Sequence, residues 1–183
     1  MVIHIDAYKI AYMALPKAGC SSVKEALARL DPNFELPAEG HEDIYTWHGR
    51  FPTRRFRPHR WAQFSDYWRF CVVRDPIKRL LSVYTNRVLQ FDDLKNSREM
   101  RKNPKFNHLP TEPSPDEFFT HLEAYKAASS SIKHHAMGAW LFLGPDLSRY
   151  DRIYKTEELG QLAQDLSKRT GQVVTMPRGN PSD

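Results

Sequence analysis

Near the start of the chain an apolar run, Tyr8 to Leu15, ends in Pro16-Lys17-Ala18-Gly19-Cys20-Ser21-Ser22 and passes at once into an amphipathic run. Residues 8–15 are apolar or aromatic with little interruption, as in a strand buried on both faces. Beyond the loop, Ser22 and Glu25 have capping-box spacing, and Val23, Ala26, Leu27 and Leu30 form a stripe at helical period. This predicts a strand, a tight loop and a helix opening at Ser22. Such a junction suits an anion. Gly19 allows close backbone approach, successive N–H groups can form a nest, and a helix N-terminus carries about half a positive charge. Ser21 and Ser22 add hydroxyls, and Lys17 adds a cation. The same residues would also serve an ordinary strand-to-helix turn with a capping serine.

A second apolar run, residues 68–74, leads into Asp75 at an N-cap position and Pro76 at the first helical position. The helix is expected to carry Ile77, Leu80, Leu81, Tyr84 and Val88 on one face. Arg74, at the strand end, has a guanidinium able to grip a phosphate with two parallel hydrogen bonds, and Ser82 can add a third. Arg79 reads as a partner for a carboxylate. Residues 31–45 and 92–115 read as loops. Ser114 to Glu117 repeats the cap signature and opens a helix to about Ala128, and residues 134–143 read as another. A third strand, residues 150–155, precedes a helix that stops at Gly171.

Strands alternating with helices imply an α/β three-layer sandwich with a mainly parallel sheet. Ligands in such sheets sit beyond the carboxyl ends of the strands, where both informative loops fall. At 183 residues the chain is sized for one core and reads as a single domain over residues 1–183. Its net charge of +5 favours anionic partners without naming one. The two cysteines, Cys20 and Cys71, form no C-x-x-C pair, which argues against a disulfide scaffold. His134 and His135 lack carboxylate or cysteine companions at metal-ligand spacing, so no metal is expected. The N-terminal residues lack a signal peptide's basic region, and the apolar run is shorter than the roughly 20 residues of a membrane span. A soluble, cytoplasmic protein is the expectation. Between positions 50 and 60 stand five arginines and no acid, interleaved with Trp47, Phe51, Phe56 and Trp61. That segment could line an acidic sugar channel, bind single-stranded nucleic acid by stacking, or be a solvated face over core aromatics.

The two anion stretches together resemble the paired signatures of the PAPS-dependent sulfotransferases, PAPS being 3′-phosphoadenosine 5′-phosphosulfate. That family's P-K-x-G-x-x-S loop stands here as Pro16 to Ser22, and its R-x-P-x-x-R-x-x-S-x-Y stands as Arg74 to Tyr84. The likeness is greatest to the carbohydrate-modifying branch. It implies a P-loop-like nucleotide-binding fold, PAPS as co-substrate, PAP as product and no metal. Lys17, Ala18, Gly19, Cys20, Ser21 and Ser22 would then hold the 5′-phosphosulfate, and Arg74 and Ser82 the 3′-phosphate. Lys17 would meet the charge on the leaving phosphate. His48 would be the general base, with His41, Glu42 and Asp43 as rivals. Arg50, Arg54 and Arg55 would face a carbohydrate or glycolipid acceptor. Golgi members carry a membrane anchor and disulfides, so the resemblance points to a bacterial-type soluble enzyme. Relatives continue past the point where this chain ends, which implies a shortened C-terminal part. Two other functions remain open: a small kinase, opposed by the lysine preceding the glycine rather than closing a Walker loop, and a non-catalytic nucleic-acid-binding domain.

Overall fold

The computed structural model describes residues 2–38 and 43–177. In chain order the first elements are β1 (Ile3–Ile5), β2 (Ile10–Met13), α1 (Cys20–Leu30), α2 (Ile44–Arg50), α3 (Pro58–Trp61) and β3 (Trp68–Val73). They continue as α4 (Pro76–Val83), α5 (Arg98–Lys102), α6 (Pro115–Thr120), α7 (Leu122–Ala128) and α8 (Ser130–Ala136). The last are α9 (Trp140–Leu143), β4 (Arg152–Lys155) and α10 (Leu159–Thr170). The elements gather into two compact units, one running to Arg74 and resuming at Gly138, the other spanning Asp75–Met137.

The first unit is mixed α/β. Its sheet has the order β1-β2-β3-β4, with β2, β3 and β4 parallel and β1 antiparallel to β2. All four residues of β2 are buried, as an internal strand of a covered sheet requires. Tyr12 of β2 stands beside Phe70 of β3, their rings stacked 4.9 Å apart. Val23 and Leu27 of α1, Tyr154 of β4, and Leu162 and Leu166 of α10 complete this core. The short β1 was not expected. It is joined to β2 by a turn in which Lys9 takes a left-handed φ of 50°.

Helix α1 begins at Cys20, two residues before the expected start. Gly19, with φ 70°, turns the chain sharply and is itself the N-cap. Ser22 therefore lies inside the first turn rather than at the cap position, and Glu25 accepts from Arg29 one turn on. The loop expected over residues 31–45 gives way to α2, opened by a reciprocal capping box between Asp43 and Thr46.

The second unit is helical. Asp75 caps α4 by accepting from the Lys78 N–H, with Pro76 in the first turn, as the sequence implies. Ser114 and Glu117 form the expected reciprocal box at α6. Four expectations change. Ile77 is 69% exposed and Leu81 45%, while Arg79, Ser82 and Val83 are buried. The chain passes from α4 into a π-helical stretch, Tyr84–Gln90, whose wider turn shifts the face that Tyr84 and Val88 bury. Arg79 meets two backbone carbonyls, His135 O and Met137 O, rather than a carboxylate. Residues 92–115 are no bare loop, since they contain α5 and place Leu94, Met100, Phe106 and Leu109 in this unit's core. The helix expected over residues 134–143 is two, α8 and α9.

Candidate functional site

Strand β2 ends at Met13, and the chain reaches α1 through Ala14 to Gly19. Two residues in the left-handed region, separated by Ala18, shape this passage: Lys17 (φ 64°) and Gly19 (φ 70°). Glycine takes that conformation freely; a lysine does so at a cost of about 1–2 kcal/mol. A Cβ on Gly19 would stand 3.2 Å from Leu159 Cδ1, so the start of α10 backs the loop closely. The first intrahelical bond runs from Val23 N to Gly19 O, and a helix supplies no acceptor of its own to the N–H groups before that point. Ala18 is wholly buried, and Cys20 and Ser22 nearly so; Lys17 and Ser21 are half-buried.

Arg74 follows β3 directly, and its guanidinium donates to the Lys17 carbonyl at 3.4 Å. Residues 57 positions apart thus meet at the carboxyl edge of the parallel strands. His48 reaches the same loop from α2, its Nε2 lying 3.0 Å from Ser21 Oγ. Its Nδ1 lies 3.1 Å from Lys24 Nζ, which also donates to Thr53 Oγ1 at 2.7 Å. Lys24 has no exposed surface, and burial lowers its pKa below the usual lysine range. No motif in the sequence points to Lys24 or Thr53. The signal was there in part: Ser21 and Lys24 are three apart and share a helix face.

Of the rival bases, His41 and Glu42 lie outside the described residues. Asp43 serves as the cap of α2, and the bonds from Thr46 hold its carboxyl below the usual range, which makes it a weak base. Ser82 belongs to the second unit, buried on α4. In that unit His134 and His135 pack ring against ring, and His135 Nδ1 bonds the Ser131 carbonyl.

The arginine-rich segment divides. Arg50 pairs with the buried Asp31 and lies over Phe34 and Phe51. Arg54, Arg55, Arg57 and Arg60 are exposed. Trp47, Phe51 and Trp61 are 3%, 5% and 1% exposed. These rings belong to the core, so the stacking surface considered for sugar or nucleic acid does not exist at those three positions. A cavity of about 530 Å³ opens at the opposite edge of the sheet, lined by Trp68, Asp151, Arg152, Tyr154, Asp165 and Arg169 among others, and contains no residue of either anion stretch. No helix among the described residues is long and apolar enough to cross a membrane.

Arg74, His48 and Lys24 thus converge on a strand–loop–helix junction in a mostly parallel α/β sheet, a setting suited to an anion. The chain belongs to the Sulfotransferase family, whose model matches residues 2–181. No curated protein and no solved structure matches it. The family transfers sulfuryl groups and generally draws them from PAPS.

Proposed function

We propose that this chain is a PAPS-dependent sulfotransferase that modifies a hydroxyl of a carbohydrate or glycolipid. The observation that carries the reading is the bond from Arg74 to the Lys17 carbonyl, which brings together two stretches that sequence alone relates only by resemblance. The residues present suit a doubly phosphorylated nucleotide: a glycine-turned loop at a helix N-terminus, a lysine within that loop and a guanidinium at the next strand end. PAPS would bring the sulfuryl group and a leaving 5′-phosphate. The loop N–H groups from Gly19 to Ser22 would hold that phosphate in the P-loop manner, and Lys17 would neutralise the charge that grows on its bridging oxygen. His48 would take the acceptor hydroxyl's proton at Nε2 as the oxygen attacks sulfur in line. The family match over residues 2–181 supports treating the whole chain as one catalytic domain.

Exposed Arg54 and Arg55 favour an anionic acceptor; Arg50, engaged by Asp31, is left out of that role. Burial of Trp47, Phe51 and Trp61 weighs against the nucleic-acid alternative, and the family match weighs against a kinase.

The role of Arg74 is open to a direct test. Arg74→Ala should abolish discrimination between PAP and AMP, because only PAP has a 3′-phosphate and a charged hydrogen bond is worth about 1.5–3 kcal/mol. If the variant weakens both nucleotides alike, the 3′-phosphate assignment is wrong. Transfer of labelled sulfuryl from PAPS to a panel of sulfated and unsulfated sugars tests the overall reaction, and no transfer to any of them would count against it.

A further inference from the structure

Lys24 occupies an unusual position for a lysine. It lies on the second turn of α1 with no exposed surface, and its bonds go to an imidazole and a hydroxyl. Among the described residues no carboxylate pairs with it. Ionisable groups that bear on it are Cys20, one turn earlier on its own helix, and His48 from α2; Thr53 meets it from the segment after α2.

An ammonium carries three donors and no acceptor. As an ammonium, Lys24 would hold a full charge away from water with no counter-charge, which is costly. It would also donate to His48 Nδ1 and so confine the ring proton to Nε2. As a neutral amine it keeps one N–H on Thr53 and accepts from Nδ1–H. Burial acts in the same direction, lowering the pKa of Lys24. Which imidazole nitrogen carries the proton is decided by the bond that the other one makes. The state of Lys24 therefore decides what His48 presents to Ser21, 3.0 Å from Nε2.

We infer that Lys24 is a positioning residue: by accepting from His48 Nδ1 it fixes the ring tautomer in which Nε2 carries no proton and accepts at the anion loop. The inference deepens the proposed function and rests on His48 being its base. In the transfer step the acceptor's proton arrives on Nε2, its oxygen bonds to sulfur, and the sulfur–oxygen bond to the 5′-phosphate breaks with its electron pair leaving on PAP. The charge gained by the ring is shared through Nδ1–H with the amine of Lys24. The arrangement parallels the serine hydrolase triad, with a buried amine where that triad has a carboxylate.

The test is nitrogen-15 NMR of the His48 ring in the full chain, read alongside kinetics. In the wild type the neutral ring should carry its proton on Nδ1; in Lys24→Met it should move to Nε2. A wild-type ring protonated on Nε2, or the same tautomer in both proteins, overturns the inference. The wild-type spectrum decides the matter even if Lys24→Met does not fold. In the kinetic arm Lys24→Met should lower kcat ~10- to 100-fold, by analogy with the partners that orient metal-ligating histidines. The KM for PAPS and the affinity for PAP should stay within about twofold. A fall in PAP affinity as large as the fall in kcat would make Lys24 a nucleotide ligand and overturn the inference. If the wild type transfers no sulfuryl group at all, the proposed function fails, and the ring tautomer still decides what Lys24 does to His48.

Discussion

Lys17→Ala is expected to reduce sulfuryl transfer by about a thousandfold while weakening PAP binding less than about tenfold. A charge-stabilising donor that acts mainly in the transition state has an effect of this size, because its contribution grows as the leaving oxygen gains charge. The backbone supports giving Lys17 such a role. Its φ of 64° is a conformation that glycine would hold without strain, yet a lysine stands there, at a cost of about 1–2 kcal/mol. Strain retained at a loop between strand and helix is explained if the side chain is needed. Lys17→Gly should accordingly be more stable to denaturant than Lys17→Ala by about 1 kcal/mol, while losing as much turnover. Parallel losses in turnover and PAP affinity would instead make Lys17 a ground-state binding group.

His48→Ala is expected to lower turnover by ~10²- to 10⁴-fold, the range for loss of a positioned base, with PAP affinity unchanged. The contact of Nε2 with Ser21 Oγ places the imidazole at the loop that would hold the reacting phosphosulfate. The Ser21 hydroxyl loses that partner in the variant, but the loop's backbone donors remain, so nucleotide binding should persist. Steady-state kinetics with PAPS, paired with PAP titration, separates the two quantities. Undiminished turnover would move the base elsewhere. Asp43 would be a poor substitute, since its carboxyl is held ionised by its bonds to Thr46.

Local signals in the chain were legible where they depend on near neighbours. The buried runs of β2 and β3, the Asp75-Pro76 opening of α4, the Ser114–Glu117 box and the stop at Gly171 are each fixed by a few adjacent residues. The helix after Pro76 was readable in period but not in phase, because the π-helical stretch at Tyr84 displaces the buried face and leaves Ile77 and Leu81 outside. Ser22 has a cap's spacing, but the turn at Gly19 starts the helix earlier. The site was half legible. Lys17, Arg74 and His48 stand in recognisable motifs. Lys24, by contrast, looks like a solvated charge, and its burial depends on His48 and Thr53, 24 and 29 positions away. Non-local pairing of this kind leaves no periodic trace. The arginine-rich segment left three readings open for a related reason: composition cannot tell which way aromatic rings face, and Trp47, Phe51 and Trp61 turn to the core, as the solvated-face reading has it.

Titration calorimetry of the purified chain with PAP, and with AMP as control, bears most directly on the proposal that loop and strand end hold one nucleotide at two phosphates. PAP should bind ~10- to 100-fold more tightly than AMP, the worth of one charged hydrogen-bonded contact to the 3′-phosphate. Equal binding of the two, or none of either, would contradict it.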